Sequence, residues 1–111
     1  MAISQRFLPH TVTVVTPLVE MDENEDESYD YVHGPTRTMQ CYMQPQGGAE
    51  TTDAQQTAVS DWRVFSLDQG LKAEERIIWN GAEFHIYENP AIFTGPGGTF
   101  HHTEAKARRR A

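Results

Sequence analysis

Arg76-Ile77-Ile78-Trp79-Asn80-Gly81-Ala82-Glu83-Phe84-His85-Ile86-Tyr87 is the stretch whose reading decides the fold. Two runs rich in β-branched and aromatic residues flank Asn80-Gly81. Both central residues of a two-residue type I′ turn need positive φ, and Asn-Gly meets that need with little strain. So short a loop also sets the register: Trp79 opposite Ala82, Ile78 opposite Glu83, Ile77 opposite Phe84. Side chains alternate along a strand. Ile77, Trp79, Phe84 and Ile86 are therefore expected to share a buried face, and Glu83, His85 and Tyr87 the other. Upstream, Trp62 and Val64 offer a further strand to the same core. No other part of the chain is so densely apolar, so residues 61–88 form the expected folding centre.

The 111 residues allow one domain, 1–111, with one modest core. No apolar run approaches the length of a membrane span, and the first residues do not read as a secretory signal. A single cysteine, Cys41, excludes a disulfide framework and reads as a buried thiol. The formal net charge of −7 argues against wrapping duplex DNA, which needs a basic face. Acid is concentrated at residues 20–30, where Asp22, Glu23, Glu25, Asp26 and Glu27 follow Glu20 closely. The C-terminal residues 106–111 do the reverse, with Lys106, Arg108, Arg109 and Arg110. Such blocks repel internally and serve as solvated or interaction segments. The acidic stretch reads as an exposed interstrand loop, the basic one as a tail.

Along the chain, residues 1–9 read as an arm or a frayed end. Thr11 to Val14 alternate as a strand over 10–16, which Pro17 ends or marks as an edge. Residues 31–44 are extended and interrupted by Gly34-Pro35. Met39, Cys41 and Met43 then face a core, while Thr38, Gln40 and Tyr42 face away. Residues 46–60 are long, polar and aperiodic, with Gly47-Gly48 and room for a short helix over 53–59 capped by Thr51 or Thr52. Residues 88–98 read as a turn-rich connection around Ile92 and Phe93, because prolines and glycines punctuate them. A final strand over 99–108 runs into the basic tail. The expected fold is mostly β: roughly five to seven antiparallel strands in a small barrel or sandwich, long loops, and at most one short helix.

Chemistry has little to stand on. Asp22, Asn24 and Asp26 mimic the start of a calcium loop, but that pattern needs glycine at its sixth place and glutamate at its twelfth, where Glu27 and His33 stand. His10, His33, His85, His101 and His102 lack metal-ligand spacing. His101 and His102, adjacent in a strand, are expected to point to opposite faces and not to share a metal. Cys41 or Ser60 paired with a histidine would be a nucleophile, but Ser60 lies in no Gly-x-Ser-x-Gly motif and Cys41 is not flanked by glycine. The expectation is a non-enzymatic protein without metal or cofactor.

The order of elements resembles the head-closure (stopper) proteins of the head-to-tail connector in long-tailed bacteriophages, and is similar to members from phages of actinobacterial hosts. The likeness rests on the strand at 10–16, the acidic link, the strand ending at Gln44-Pro45, and the polar segment with Gly47-Gly48. It continues through Asp61-Trp62-Arg63-Val64, the Trp79–Phe84 hairpin and the terminal Phe100-His101-His102-Thr103-Glu104 strand. It implies a small barrel that assembles as a homo-oligomeric ring in the virion neck after assembly in the host cytoplasm. Its neighbours would be the adaptor on the portal side and the tail terminator or tail tube on the other. Packaged DNA would pass the ring without sequence-specific binding, and no membrane is involved. By the same analogy the loop between the second and third strands faces the channel. In this sequence that loop is residues 46–60, and the channel candidates in it are Gln46, Gly47, Gly48, Glu50 and Thr51, followed by Thr52, Asp53, Gln55 and Gln56. Asp22, Glu23, Glu25, Asp26 and Glu27 at one block, and Arg108, Arg109 and Arg110 at the other, are interaction candidates. Two alternatives stand beside this reading: a tail terminator or tail-completion protein, and a barrel that binds single-stranded nucleic acid.

Overall fold

The computed structural model describes residues 7–46 and 61–110. Nine strands form: β1 (His10–Val15), β2 (Leu18–Met21), β3 (Glu27–Asp30), β4 (Thr36–Gln46), β5 (Asp61–Ser66), β6 (Arg76–Trp79), β7 (Ala82–Ile86), β8 (Ala91–Thr94) and β9 (Phe100–Arg109). The main sheet runs β5-β4-β1-β6-β7-β9-β8, and β5 also pairs with β9. That last pairing closes six strands into an antiparallel barrel and leaves β8 as an extra strand on β9. Closure removes the open sheet edges that an isolated meander would expose. A short 3-10 turn, Pro96–Gly98, joins β8 to β9.

The Asn80-Gly81 hairpin forms in the expected register, with Trp79 opposite Ala82, Ile78 opposite Glu83 and Ile77 opposite Phe84. Asn80 and Gly81 adopt φ of 51° and 77°, the positive values such a turn demands. Ile77, Phe84 and Ile86 are fully buried. Trp79 is only half-buried; it sits at the barrel end with Trp62, whose ring meets it edge-on at 5.8 Å. Alternation in β4 places Met39, Cys41 and Met43 in the core, joined by Val12, Val14, Val64, Ala105 and Ala107.

Three segments differ from the sequence expectation. The acidic link is exposed, yet it is a paired hairpin: Leu18 faces Asp30 and Met21 faces Glu27. Residues 88–98 contain a strand, β8, hydrogen-bonded to the first half of β9. The basic residues up to Arg109 belong to β9 itself and form no free tail. In the arm, Leu8 is buried at 2 % exposure while Phe7 is exposed. The short helix expected over 53–59 and residues 1–6 lie outside the described residues.

The link between β5 and β6 closes the other barrel end. Leu71 plugs the core there, and Glu75 is completely buried. A buried carboxylate needs a cation and hydrogen bonds. Arg37 supplies both, through Nη1–Oε2 at 2.7 Å and Nη2–Oε1 at 3.3 Å, while its Nε reaches Asp68 at 2.7 Å. Thr16 donates its hydroxyl to Glu75, and the Lys72 amide donates at 2.8 Å. Hydrogen bonding to Glu75 raises the Arg37 pKa above its ordinary value. Gly34 completes this end. A Cβ there would lie 2.0 Å from the Thr16 carbonyl oxygen, so only glycine allows the close approach.

Two stability outcomes follow from this packing. Phe84→Ala empties a fully buried aromatic site and is expected to cost about 3–5 kcal/mol, whereas Trp79→Ala, at a half-buried ring, costs less. Denaturant melts of both variants check this, and equal losses would contradict the burial difference. Arg37→Met strands the Glu75 carboxylate and is expected to cost about 3 kcal/mol, the low end for a broken buried pair because Arg37 keeps some water contact. A melt indistinguishable from the parent would show the network to be dispensable.

Candidate functional site

Antiparallel pairing of β4 with β5 runs in register to its last residues, Pro45 opposite Trp62 and Gln46 opposite Asp61. Residues 47–60 therefore join two strand ends that sit side by side. Of the channel-loop candidates, Gln46 is half-buried at the end of β4. Gly47, Gly48, Glu50, Thr51, Thr52, Asp53, Gln55 and Gln56 lie outside the described residues.

The basic block lies at this same barrel end. Asp61 pairs with Arg108 along β5–β9, and Arg108 Nε reaches Asp61 Oδ1 at 3.1 Å. The Arg108 guanidinium also lies 4.6 Å from the Tyr87 ring centre. Arg110 donates to the Glu83 carboxylate, and its amide donates to the Glu83 carbonyl at 2.8 Å. Arg109 ends β9 opposite Phe84. Lys106 meets Glu88 at 3.1 Å. These exposed pairs contribute little stability, but they hold the cations against the barrel instead of leaving them on a swinging tail.

The acidic block lies at the opposite end, beyond Val15. Asp22 staples the hairpin turn: its Oδ1 accepts from the amides of Asn24 at 2.8 Å and Asp26 at 2.9 Å. Glu25 adopts a φ of 64° to make that turn. Asp22 is thus spent on backbone, while Glu23, Glu25, Asp26 and Glu27 remain exposed. At the hairpin base Asp30 accepts from His33 at 2.7 Å, which lowers the Asp30 pKa and raises that of His33. Tyr31 then anchors the hairpin, donating to the Glu74 carbonyl at 2.6 Å beneath the Arg76 guanidinium.

Among the described residues the catalytic candidates raised by the sequence are not brought together. Cys41 is buried opposite Ser66, and burial pushes its thiol up to about 12, far from a reactive thiolate at neutral pH. Ser60 lies outside the described residues. Among the described residues no group of three or more His, Cys, Asp or Glu side chains is placed to hold a metal ion. His10 accepts from the Met43 amide at 3.0 Å, and His85 meets Glu74 at 3.2 Å.

His101 and His102 behave otherwise than expected. Their Nδ1 atoms approach to 2.7 Å. Pairing of β8 with β9 shifts between Phe93, which faces His102, and Thr94, which faces Phe100. His101 is the extra residue, and a bulge re-aims side chains that regular alternation would separate. The irregular entry through Gly95-Pro96-Gly97-Gly98 was the available signal. On the outer barrel wall, Tyr42, Phe65, His102 and Phe93 form a continuous row with ring-centre spacings of 6.1, 6.0 and 4.9 Å.

No family model and no curated protein matches the chain. Among solved structures, it is similar to the solution structure of protein SF1141 from Shigella flexneri 2a, a structural genomics target. The two share 17 % identity with a TM-score of 0.59, over 94 % of each chain. At that identity the likeness establishes the small β domain and nothing about activity.

With Asp22 committed to its own turn, calcium is expected to bind the acidic hairpin no more tightly than it binds scattered surface carboxylates. Calorimetric titration should yield no saturable heat; micromolar affinity would contradict the turn geometry.

Proposed function

We propose that this protein is a non-enzymatic ring component of a tailed-phage head-to-tail interface, a head-closure protein that helps retain packaged DNA and docks the tail. One observation carries the proposal: in a closed barrel, the second and third barrel strands in chain order, β4 and β5, are joined by the long polar segment 47–60. That is the position the channel loop takes in the stopper family. A segment anchored at both ends by paired strands is free to vary without disturbing the barrel.

Electrostatics supports the same reading. A net charge of −7 disfavours gripping a duplex and favours letting it slide. Acidic hairpin and basic β9 terminus stand at opposite barrel ends. Copies meeting head to tail can use such polarity, and heterologous contacts of that kind close into rings. The partners would be an adaptor on the portal side and a tail terminator or tail tube on the other, in the virion neck. A tail-completion role uses the same architecture and differs by position in the particle.

The outer aromatic row gives a specific reason to keep a second reading, a single-stranded nucleic-acid surface, since bases stack on such rings. Against it, these rings already pack against one another and the charge balance is acidic. An electrophoretic shift with oligonucleotides at low salt separates the two readings.

Replacing residues 48–58 by a short Gly-Ser link tests the proposed role of the loop. The melting temperature is expected to stay nearly unchanged, because Gln46 and Asp61 remain paired. Particles carrying the replacement should leak DNA or fail to join tails. Normal infection by such particles would remove the loop from the mechanism.

A further inference from the structure

We infer that His101 and His102 form a binding site for a divalent transition-metal ion on the outer wall of the barrel, with Glu104 as its orienting carboxylate. The bulge in β9 turns both imidazoles to one side, and their Nδ1 atoms stand 2.7 Å apart. His102 Nε2 lies 2.8 Å from Glu104 Oε2. A carboxylate only accepts, so in the neutral imidazole that nitrogen carries the proton and His102 Nδ1 presents its lone pair. The short Nδ1–Nδ1 contact then holds a single proton, donated by His101. A metal ion can take that proton's place once His101 carries its proton on Nε2 instead, with both δ nitrogens as ligands and water completing the sphere.

Orientation is built in before any ion arrives. The His102 ring stacks on Phe93 at 4.9 Å with an interplanar angle of 4°, and Phe65 flanks it at 6.0 Å. Glu104 is held in turn by Arg63 at 3.7 Å. A ligating histidine whose second nitrogen donates to a carboxylate is the recurrent supporting arrangement at metal centres. Metal–nitrogen bonds of about 2.0–2.1 Å require the two nitrogens to part slightly. His101, held less tightly than His102, supplies that movement by rotating its ring. Imidazole donors suit copper, nickel and zinc, with Cu(II) bound most tightly, and do not suit calcium or magnesium. Two protein ligands hold an ion less tightly than a closed four-ligand site does.

Titration of the full chain with Cu(II), followed by electron paramagnetic resonance, and with Zn(II), followed by calorimetry, tests the site. One ion per chain is expected, copper tighter than zinc, with nitrogen ligands in the copper spectrum. His101→Gln and His102→Gln should each abolish binding at concentrations that saturate the parent. Glu104→Ala should weaken it by about ten- to a hundredfold, the usual effect of losing an orienting partner, and His33→Gln should leave it unchanged. In the unaltered protein, substoichiometric Cu(II) should broaden the ring protons of His101 and His102 before those of His10, His33 and His85. Absence of saturable binding, undiminished affinity in His101→Gln, or equal broadening of all five histidines would overturn the assignment.

Discussion

A fully buried carboxylate, Glu75, sets the constraint on which the barrel end depends. Buried without a partner, such a group would cost several kcal/mol or force its own protonation. Here it is met by Arg37 from β4, Thr16 after β1 and the Lys72 amide. Its backbone carbonyl also accepts from the Ile86 amide of β7 at 2.9 Å. One residue therefore fixes the β5–β6 link against three strands of the wall. Apolar packing alone would allow this link to slide; a charge that must find a single cation does not. The site of close approach between Gly34 and Thr16 belongs to the same seam.

Closure by β5 and β9 is the second condition. β9 is long enough to pair with β5 on one edge and with both β8 and β7 on the other. Small Ala105 and Ala107 are buried in the same core as Phe84, and Ala107 lies directly opposite the bulky Trp62 of β5. Large and small residues thus share the taper of a narrow barrel. Its two ends differ in consequence: one carries aromatic rings, the loop anchor and arginines, the other the ion network and the acidic hairpin.

The parts of this structure legible in the sequence were those governed by local rules. Asn80-Gly81 dictated a register because a two-residue turn leaves no choice. Met39, Cys41 and Met43 declared their face by alternation. Less legible were elements whose stabilisation comes from elsewhere. β2 and β3 are only four residues each and flank a strongly acidic turn, and the staple that closes that turn is the Asp22 side chain. β8 is short and bracketed by prolines and glycines, so its pairing with β9 left no periodic trace. Glu75 looked like one more polar residue in a link, since its cation lies far away in sequence. For His101 and His102, strict alternation was the wrong rule, because a bulge intervenes. Of the channel-loop candidates, the sequence located the anchors, Gln46 and the start of β5; Gly47 to Gln56 lie outside the described residues.

The functional proposal joins a closed barrel, a polar loop between adjacent strand ends, and charge of opposite sign at opposite ends. Each feature is common alone, and together they suit a ring subunit through which DNA passes. Imaging intact tailed-phage particles that encode this chain tests the claim most directly. The account predicts a ring of copies between the portal-bound adaptor and the tail, with residues 47–60 directed to the channel axis. Density for the chain at the distal end of the tail tube, or its absence from the particle, would contradict it.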